Sequence, residues 1–536
     1  MINRAHARPR FRIIVPAYPT FNVYSSIAQR TTSLGPVYIA TVVNKMGGWD
    51  AEVIDENNLN LYGPRNPDGR GADHNFIQDE RPADIIGLYG GLTSTIPRLY
   101  ELAKFYKKKG ITIVAGGQHF AGENIEEALH AGIDYLVTSE GEETIKELLP
   151  ALINKGDISK IDGIAYLKNG KVVINPPRAP ITDFNRLPTP DFSLVRYAWI
   201  KLFPVNWIRG CGMDCEFCTV KGKPRCAPAD KVFEDIKYLL ETYDARHFFI
   251  VDDLFGQFRT ETIHLCKLLR DYQRDVGRRI DLTVQIRLDK AVDSEMLSIM
   301  RQAGINSVCI GFESPIEDEL KAMSKRVKPE EMIKLARIYH KFGFLVHGMF
   351  IFGYPLKDVK LNLTLDERLK AYRTFIKKAK IDTIQILLPV PLPGTEFRKR
   401  LEKENRVYPR SEIGWEYYDG NFPLFEPDPP LTAQDLHIAV HKLMGRFYQL
   451  KYVFLLGWHV FVFPSLVFFL YNIKMGWKKW YRPWRNALTR FGGWTILKGW
   501  KKEFKKSDFS EKLSQAQKLV KSRDTGKDHY KVPLAH

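Results

Sequence analysis

Three cysteines fall within eight residues, in Arg209-Gly-Cys211-Gly-Met-Asp-Cys215-Glu-Phe-Cys218-Thr219. A thiolate is a soft anionic donor, and several on one short loop can reach one metal centre. The chain has six cysteines in 536 residues, too few for a disulfide scaffold. A structural zinc asks for four protein ligands. Cysteines also hold a 4Fe–4S cluster, and three of them would leave one iron open to an outside ligand. A zinc site completed by Cys226 or a histidine is the competing reading. Cys226, Cys266 and Cys309 otherwise read as small buried hydrophobes, so a second cluster is not expected.

Glycines form the second informative set. Gly90-Gly91 and Gly116-Gly117 follow strand-like runs, and Ser139-Glu140-Gly141-Glu142 follows another. In parallel sheets, ligands bind beyond the carboxyl ends of the strands. Any one of these is a tight turn; three on one rim point to a bound ligand.

The elements that must position these residues are legible as alternating strands and helices. Strand-like runs are Phe11–Pro16, Glu52–Asp55, Ile85–Tyr89, Thr112–Ala115 and Tyr135–Thr138, with helices at Pro36–Met46, Thr95–Lys109 and Ile125–Ala131. Short apolar strands joined by helices predict a doubly wound, Rossmann-like domain over residues 1–150. Residues 151–199 read as a linker carrying a hairpin, with Asn169-Gly170 as its turn. Over residues 200–400 six strands recur, at Val205–Ile208, His247–Val251, Asp281–Ile286, Ser307–Ile310, Val346–Phe352 and Thr383–Leu388. They predict a partial (β/α)6 barrel of TIM type, with its chemistry at the carboxyl ends of the strands. Residues 401–450 read as a helical cover over the barrel mouth, and 451–536 as an apolar helix and a basic tail.

The C-x-x-x-C-x-x-C spacing, directly after a strand, resembles the cluster loop of radical S-adenosylmethionine enzymes. The resemblance implies that Cys211, Cys215 and Cys218 hold a 4Fe–4S cluster whose free iron binds S-adenosylmethionine, and that Phe217 is the aromatic residue common before the last cysteine. It implies cofactor contacts at Asp252 and Asp253, at Arg287, at Glu313 and Ser314, and at Gly348 and Gly353. A doubly wound domain ahead of such a barrel resembles the cobalamin-binding branch, which includes hopanoid methylases and ring-forming cyclases. In that branch Gly35, Gly90, Gly116, Gly117, Glu140 and Gly141 correspond to cobalamin-domain segments. The loop Pro16–Arg30 contains no histidine to serve as a lower cobalt ligand, and His119 reads as a surface-loop residue.

Composition is that of a globular chain, 44% hydrophobic and 26% charged, which excludes a wholly disordered protein. From Lys474 onward there are 17 Lys/Arg against 5 Asp/Glu, so +12 of the net +18 sits in the tail. The main body is therefore not expected to bind nucleic acid. Tyr452–Ile473 lacks Lys, Arg, Asp and Glu and is long enough to span a bilayer. Trp477–Lys506 suits an interface plane. No secretory signal is evident, so a cytoplasmic protein at or in the membrane face is expected.

The resemblance thus implies a cobalamin-dependent radical enzyme that methylates an unactivated carbon of a hydrophobic, lipid or isoprenoid substrate, with flavodoxin or ferredoxin as electron donor. The alternatives are a non-methylating radical enzyme, such as an oxidative cyclase, and a non-enzymatic, zinc-stabilised basic adaptor.

Overall fold

The computed structural model describes residues 8–60, 62–357, 362–458 and 475–524. Strands β1 (Arg10–Val15), β2 (Asp50–Asp55), β3 (Ile85–Tyr89), β4 (Thr112–Gly116) and β5 (Tyr135–Val137) pair in parallel. All six residues of β1 are buried, as expected for a central strand with helices on both faces. Hairpin β6 (Ile164–Lys168) and β7 (Lys171–Ile174) adds antiparallel to β5, and β8 (Val195–Arg196) adds parallel to β2. The sheet order is β7-β6-β5-β4-β3-β1-β2-β8. Residues 151–199 therefore complete the first sheet rather than form a free linker. Burial of Ile164, Ala165 and Tyr166 drives that addition. Asn169 (φ 52°) and Gly170 (φ 76°) make the expected turn, with both residues in the left-handed region.

The second sheet is an open arc of six parallel strands in the order β9-β12-β13-β14-β15-β16. These are β9 (Leu202–Val205), β12 (His247–Phe255), β13 (Asp281–Ile286), β14 (Ile305–Glu313), β15 (Leu345–Ile351) and β16 (Thr383–Leu387). A small antiparallel ladder, β10 (Ile208–Arg209) with β11 (Arg225–Cys226), closes the base of the cysteine loop. The first barrel strand thus ends at Val205, earlier than the sequence suggested. Pro204 lies within it, which is tolerated because β9 is an edge strand. Burial alternates along the strands: Ile250, Val284, Val308, Ile310 and Phe350 pack under the helices. Val251, Asp253, Gln285, Glu313, His347 and Gln385 occupy the other face.

The open edges are covered by other segments. The Tyr448 hydroxyl donates to the Ile384 carbonyl (2.7 Å) and accepts from its N–H (2.8 Å), satisfying the free edge of β16. The loop after β1 reaches both edges. The Tyr24 hydroxyl bonds the Gln385 side chain, and the Arg30 carbonyl accepts from the N–H groups of Lys201 (2.9 Å) and Leu202 (3.0 Å). The helix Ala433–Phe447 packs along β16 and meets the mouth through Leu436 at Gly353, a narrower role than a cover over the whole mouth.

The helix Met475–Phe504 also differs from expectation. Leu497, Trp500 and Phe504 are buried, the Trp500 ring stacks on His441 at 4.2 Å, and its indole N–H donates to the Phe21 carbonyl (2.7 Å). Its apolar residues are used inside the protein, so at these positions it does not offer an interfacial face. Among the described residues no helix is long and apolar enough to cross a membrane. Most of the expected span Tyr452–Ile473 lies outside the described residues.

Candidate active site

The cysteine loop leaves the β10–β11 ladder at one end of the arc. Gly210 (φ 86°) turns it, and a Cβ there would lie 2.8 Å from the Lys223 carbonyl oxygen. All three thiols are free, and Cys211 and Cys218 lie within electrostatic reach of Cys215. Burial raises the pKa of Cys211 and Cys218, while backbone N–H groups of Met213 and Val220 oppose that rise. Among the described residues, no three His, Cys, Asp or Glu side chains already converge as ligands of one ion. The donor chemistry fits an iron–sulfur cluster: three unpaired thiols on one loop, with cations close by. Cys226 sits opposite Ile208 in the ladder at the loop's base.

Glu216, between two of the cysteines, anchors the loop. It is buried, accepts from the Tyr354 hydroxyl (2.6 Å) and from Arg400 (2.9 Å), and lies 3.5 Å from Lys357. Burial opposes its charge, yet Arg400 and Tyr354 hold its pKa below the ordinary value. Phe217 packs edge-on against Tyr354 at 6.2 Å. Sequence reading missed Glu216; a charged residue between two cysteines of the motif was the available signal.

The strand ends bring some of the expected residues to the mouth and turn others away. Asp253 faces the loop, close to Cys211 and Cys218. Arg287 donates to the Met213 thioether (3.3 Å) and pairs with Asp289 (2.8 Å). Glu313 ends β14 in the left-handed region (φ 59°), and its carboxylate pairs with Lys325 at 2.9 Å. That strained backbone lets its side chain fold back over Gly311, where a Cβ would lie 2.5 Å from Oε1. Burial works against the Lys325 charge, but Glu313 and the nearby thiols keep its pKa above the ordinary lysine value. Lys325 had no signal in the sequence.

Three expected contacts are placed differently. Ser314 follows the Glu313 kink into the helical layer, where it bonds Glu319 and the Tyr372 hydroxyl (3.2 Å). Asp252 is buried beneath the loop, accepting from the Trp207 N–H (2.6 Å) and Asn206 (3.2 Å); burial pushes its pKa up to about 7. Gly348 faces the helices, where a Cβ would meet Phe350 at 2.9 Å and Ile381 at 3.0 Å. Strand alternation explains Asp252 and Gly348: each occupies the even, helix-facing position. Gly353 (φ 76°) is a turn at the mouth.

A cavity of about 360 Å³ lies at the carboxyl ends of the first sheet, where the strand order reverses at β1. Gly35, Gly116, Gly117, Glu140 and Gly141 line it. Gly90 does not. It packs against Phe120, whose ring would lie 2.5 Å from a Cβ, and its carbonyl accepts from the His119 N–H. His119 is buried, not on a surface loop. Thr93 (3.3 Å) and Asn124 (3.3 Å) engage its two ring nitrogens, and burial with Arg410 and Arg398 nearby lowers its pKa to about 3. The cavity has a mostly apolar lining and is open because side chains are missing where the strands end.

The two sites adjoin. Asn206, Arg209 and Val251 of the second unit also line this cavity. Arg209, two residues before Cys211, bonds Glu142 (2.6 Å) and lies 3.4 Å from Glu140. Arg225, across the ladder, bonds Glu140 at 2.8 Å. The cavity wall and the base of the cysteine loop thus share one ionic cluster.

Comparison with known proteins agrees with this geometry. Residues 205–367 match the Radical SAM superfamily and residues 23–149 the B12 binding domain. An uncharacterized methyltransferase of Pyrococcus horikoshii is 27% identical over 456 residues, covering 82% of this chain and 92% of that one. The hopanoid C-2 methylase of Rhodopseudomonas palustris is 26% identical over 275 residues, covering 48% of this chain and 51% of its own. Among solved structures, the cobalamin-dependent S-adenosylmethionine radical enzyme OxsB superposes with a TM-score of 0.62 at 15% identity, over 98% of this chain and 82% of that one. The methyltransferase TsrM of Kitasatospora setae, solved with cobalamin and a [4Fe–4S] cluster, gives 0.60 at 16% identity, over 74% and 78%. The matched domains bring a 4Fe–4S cluster, S-adenosylmethionine and cobalamin as cofactors, for which the cysteine loop and the glycine-lined cavity are suited. The chain belongs to the radical S-adenosylmethionine enzymes, in the branch that carries an N-terminal B12-binding domain.

Proposed function

We propose that this enzyme transfers a methyl group to an unactivated carbon of a hydrophobic, lipid- or isoprenoid-like substrate. The observation that carries the reading is the shared wall. Asn206, Arg209 and Val251, near the base of the cysteine loop, also line the glycine-rich cavity, which supports cobalamin binding there beside the cluster. When bound, the cluster with S-adenosylmethionine supplies a hydrogen-abstracting radical, and cobalamin supplies the methyl group. The chain's own part is placement and exclusion of water. Cys211, Cys215 and Cys218 hold the cluster, and Glu216 fixes their loop. Asp253, Arg287 and the Glu313–Lys325 pair offer charges of both signs for an amino acid-like cofactor at the mouth. A cavity of about 150 Å³ by β16, walled by Val23, Ile27, Leu387, Met444 and Leu497, supports an apolar substrate. The cluster needs a one-electron donor of flavodoxin or ferredoxin type.

The test is anaerobic turnover of enzyme reconstituted with iron, sulfide and hydroxocobalamin, using methyl-labelled S-adenosylmethionine and an isoprenoid lipid extract. Label is expected on carbon in the lipid fraction, with one 5′-deoxyadenosine and one S-adenosylhomocysteine per methyl. A second reading, oxidative ring formation, is favoured by 26% identity over 62% of the chain to the anaerobic magnesium-protoporphyrin IX monomethyl ester cyclase of a Synechocystis strain. Formation of 5′-deoxyadenosine with no label on carbon would select it.

A further inference from the structure

A second large concavity lies at the opposite end of the barrel. It is a cleft of about 790 Å³ beside Ile381 and Asp382, which precede β16. Ile381, Leu443, Phe447 and Tyr452 supply its apolar walls, and Lys341, Arg373, Lys377, Lys380, Arg446 and Arg490 its charge. Asp382 is the one carboxylate among the lining residues. It is committed to the Val346 N–H (2.9 Å) and Asn486 (2.6 Å), with His340 at 3.5 Å. Lys341, Lys377, Lys380 and Arg446 make no ion pair with a described residue. Arg373 donates to the Leu369 carbonyl (3.1 Å). Arg490 lies over the Phe447 ring at 4.4 Å and donates to backbone carbonyls. Cations gathered in one concavity repel each other, and an anion relieves that repulsion.

A separate observation selects the anion's carrier. Tyr452 lies in a helical stretch, residues 451–458, on which Phe454 is 74% and Trp458 66% exposed; Leu450, just before it, and Leu455 are 47% and 41% exposed. Large apolar side chains in such a cluster mark an interaction surface. A free phosphate or nucleotide would use the cations and leave these side chains in water. An anionic bilayer uses both, with headgroups at the cleft and Phe454 and Trp458 at the acyl boundary.

We infer that this cleft and the exposed face of residues 451–458 together dock the enzyme on an anionic phospholipid surface. The docking face lies at the amino-terminal ends of the barrel strands, away from the cysteine loop. The inference therefore stands independently of the reaction proposed above. It keeps the start of the expected apolar segment at the membrane and withdraws the Trp-rich helix at Trp500, which is buried.

The test is co-sedimentation of the full-length protein with vesicles of pure phosphatidylcholine and of phosphatidylcholine with 30% phosphatidylglycerol, in ~0.15 M salt, where surface charges are screened beyond about 8 Å. Binding is expected only to the anionic vesicles. Lys377→Gln/Lys380→Gln/Arg446→Gln should weaken it on the order of 100-fold, at roughly 5-fold per cation lost. Phe454→Ser/Trp458→Ser should weaken it too and remove the blue shift of tryptophan fluorescence on binding. Circular dichroism and iron content report whether each variant is folded. Equal recovery of wild type with both vesicle types would overturn the inference, as would unchanged binding of the folded triple variant. Inorganic phosphate that raises the melting temperature of a protein that ignores both vesicles would assign the cleft to a soluble anion instead.

Discussion

In the first domain the cavity is made by what is missing. Gly35, Gly87, Gly116, Gly117 and Gly141 leave room where β1, β3, β4 and β5 end. At the barrel mouth the site is made by what is tied down. Glu216 is held by Tyr354 and Arg400, Glu313 by Lys325, and Arg209 by Glu142. The difference follows from the ligands. A bulky cofactor needs preformed space, and only the absence of side chains supplies it. A cluster and a small zwitterion need a few charged groups held at fixed distances, and long-range pairs supply those.

The most drastic way to break this comparison is to damage one region and read the other. Cys215→Ala should abolish product formation and lose iron while leaving cobalamin uptake unchanged. Gly35→Leu should do the converse. A Cβ at Gly35 meets nothing closer than Tyr89 at 3.6 Å, so the longer side chain enters the cavity rather than the backbone. Cobalamin retained after reconstitution should fall ~10-fold or more, because an occupied cavity resists overpacking. Iron should stay near four per chain. Loss of iron in Gly35→Leu would mean that the regions are one cooperative unit.

The same difference decided what the sequence could reveal. Strands β1 to β5 and β13 lie where apolar runs placed them, and the glycine rim of the cavity was visible apart from Gly90. Glycine acts through its own backbone, so its position carries its meaning. The mouth was legible in the three cysteines and in Asp253, Arg287 and Glu313, whose strand ends point inward. Asp252 and Gly348 face the helical layer because one residue of strand register decides which face a side chain takes, and Ser314 faces it because of the kink at Glu313. The partners of Glu216 are invisible from the loop itself: Tyr354 is 138 residues away and Arg400 is 184. Aromatic and basic composition suits a membrane interface and a helix–helix contact equally, and at Leu497, Trp500 and Phe504 the tail makes the second. Packing against His441 decided it.

The glycine-built region also contains a buried ionic anchor at Glu56, and acid should expose it. Glu56, just past β2, is buried and accepts from the Ala17 and Ala72 N–H groups, Arg98 (2.7 Å) and His74 (3.0 Å). Burial opposes its charge, but His74 and Arg98 hold its pKa down to about 2. A carboxylate with a depressed folded pKa gives stability that is complete above its ordinary value. That stability drains away as pH falls from about 4.5 toward about 2. The difference amounts to ~3 kcal/mol. Asp55 beside it has the opposite sign: burial raises it to about 6, so its contribution is present below about 4 and lost as pH rises through 6. Urea denaturation of wild type and Glu56→Gln across pH 3–7 should show the largest gap at pH 7, narrowing on acidification. A gap independent of pH would show that Glu56 acts through packing alone.

The smallest expected effect is also the sharpest test of whether the two regions communicate. Glu142→Gln keeps a hydrogen-bond acceptor for Arg209 but removes the charge. Arg209 still has Glu140 at 3.4 Å and Asn206 at 3.1 Å. The cost should therefore be ~1 kcal/mol, well below that of a buried pair broken outright. Iron should remain near four per chain, since no ligand is touched. Cobalamin affinity should fall about 5-fold, the equivalent of that energy, because Glu142 and Arg209 both line the cavity. The decisive comparison is a cycle with Arg209→Gln. If the pair links cavity to loop, the double variant will lose less than the two single losses combined, by ~1 kcal/mol. Strict additivity would mean that Glu142 and Arg209 bound the same cavity without either depending on the other. The cobalamin wall and the cluster loop would then be neighbours that share a surface but no energy.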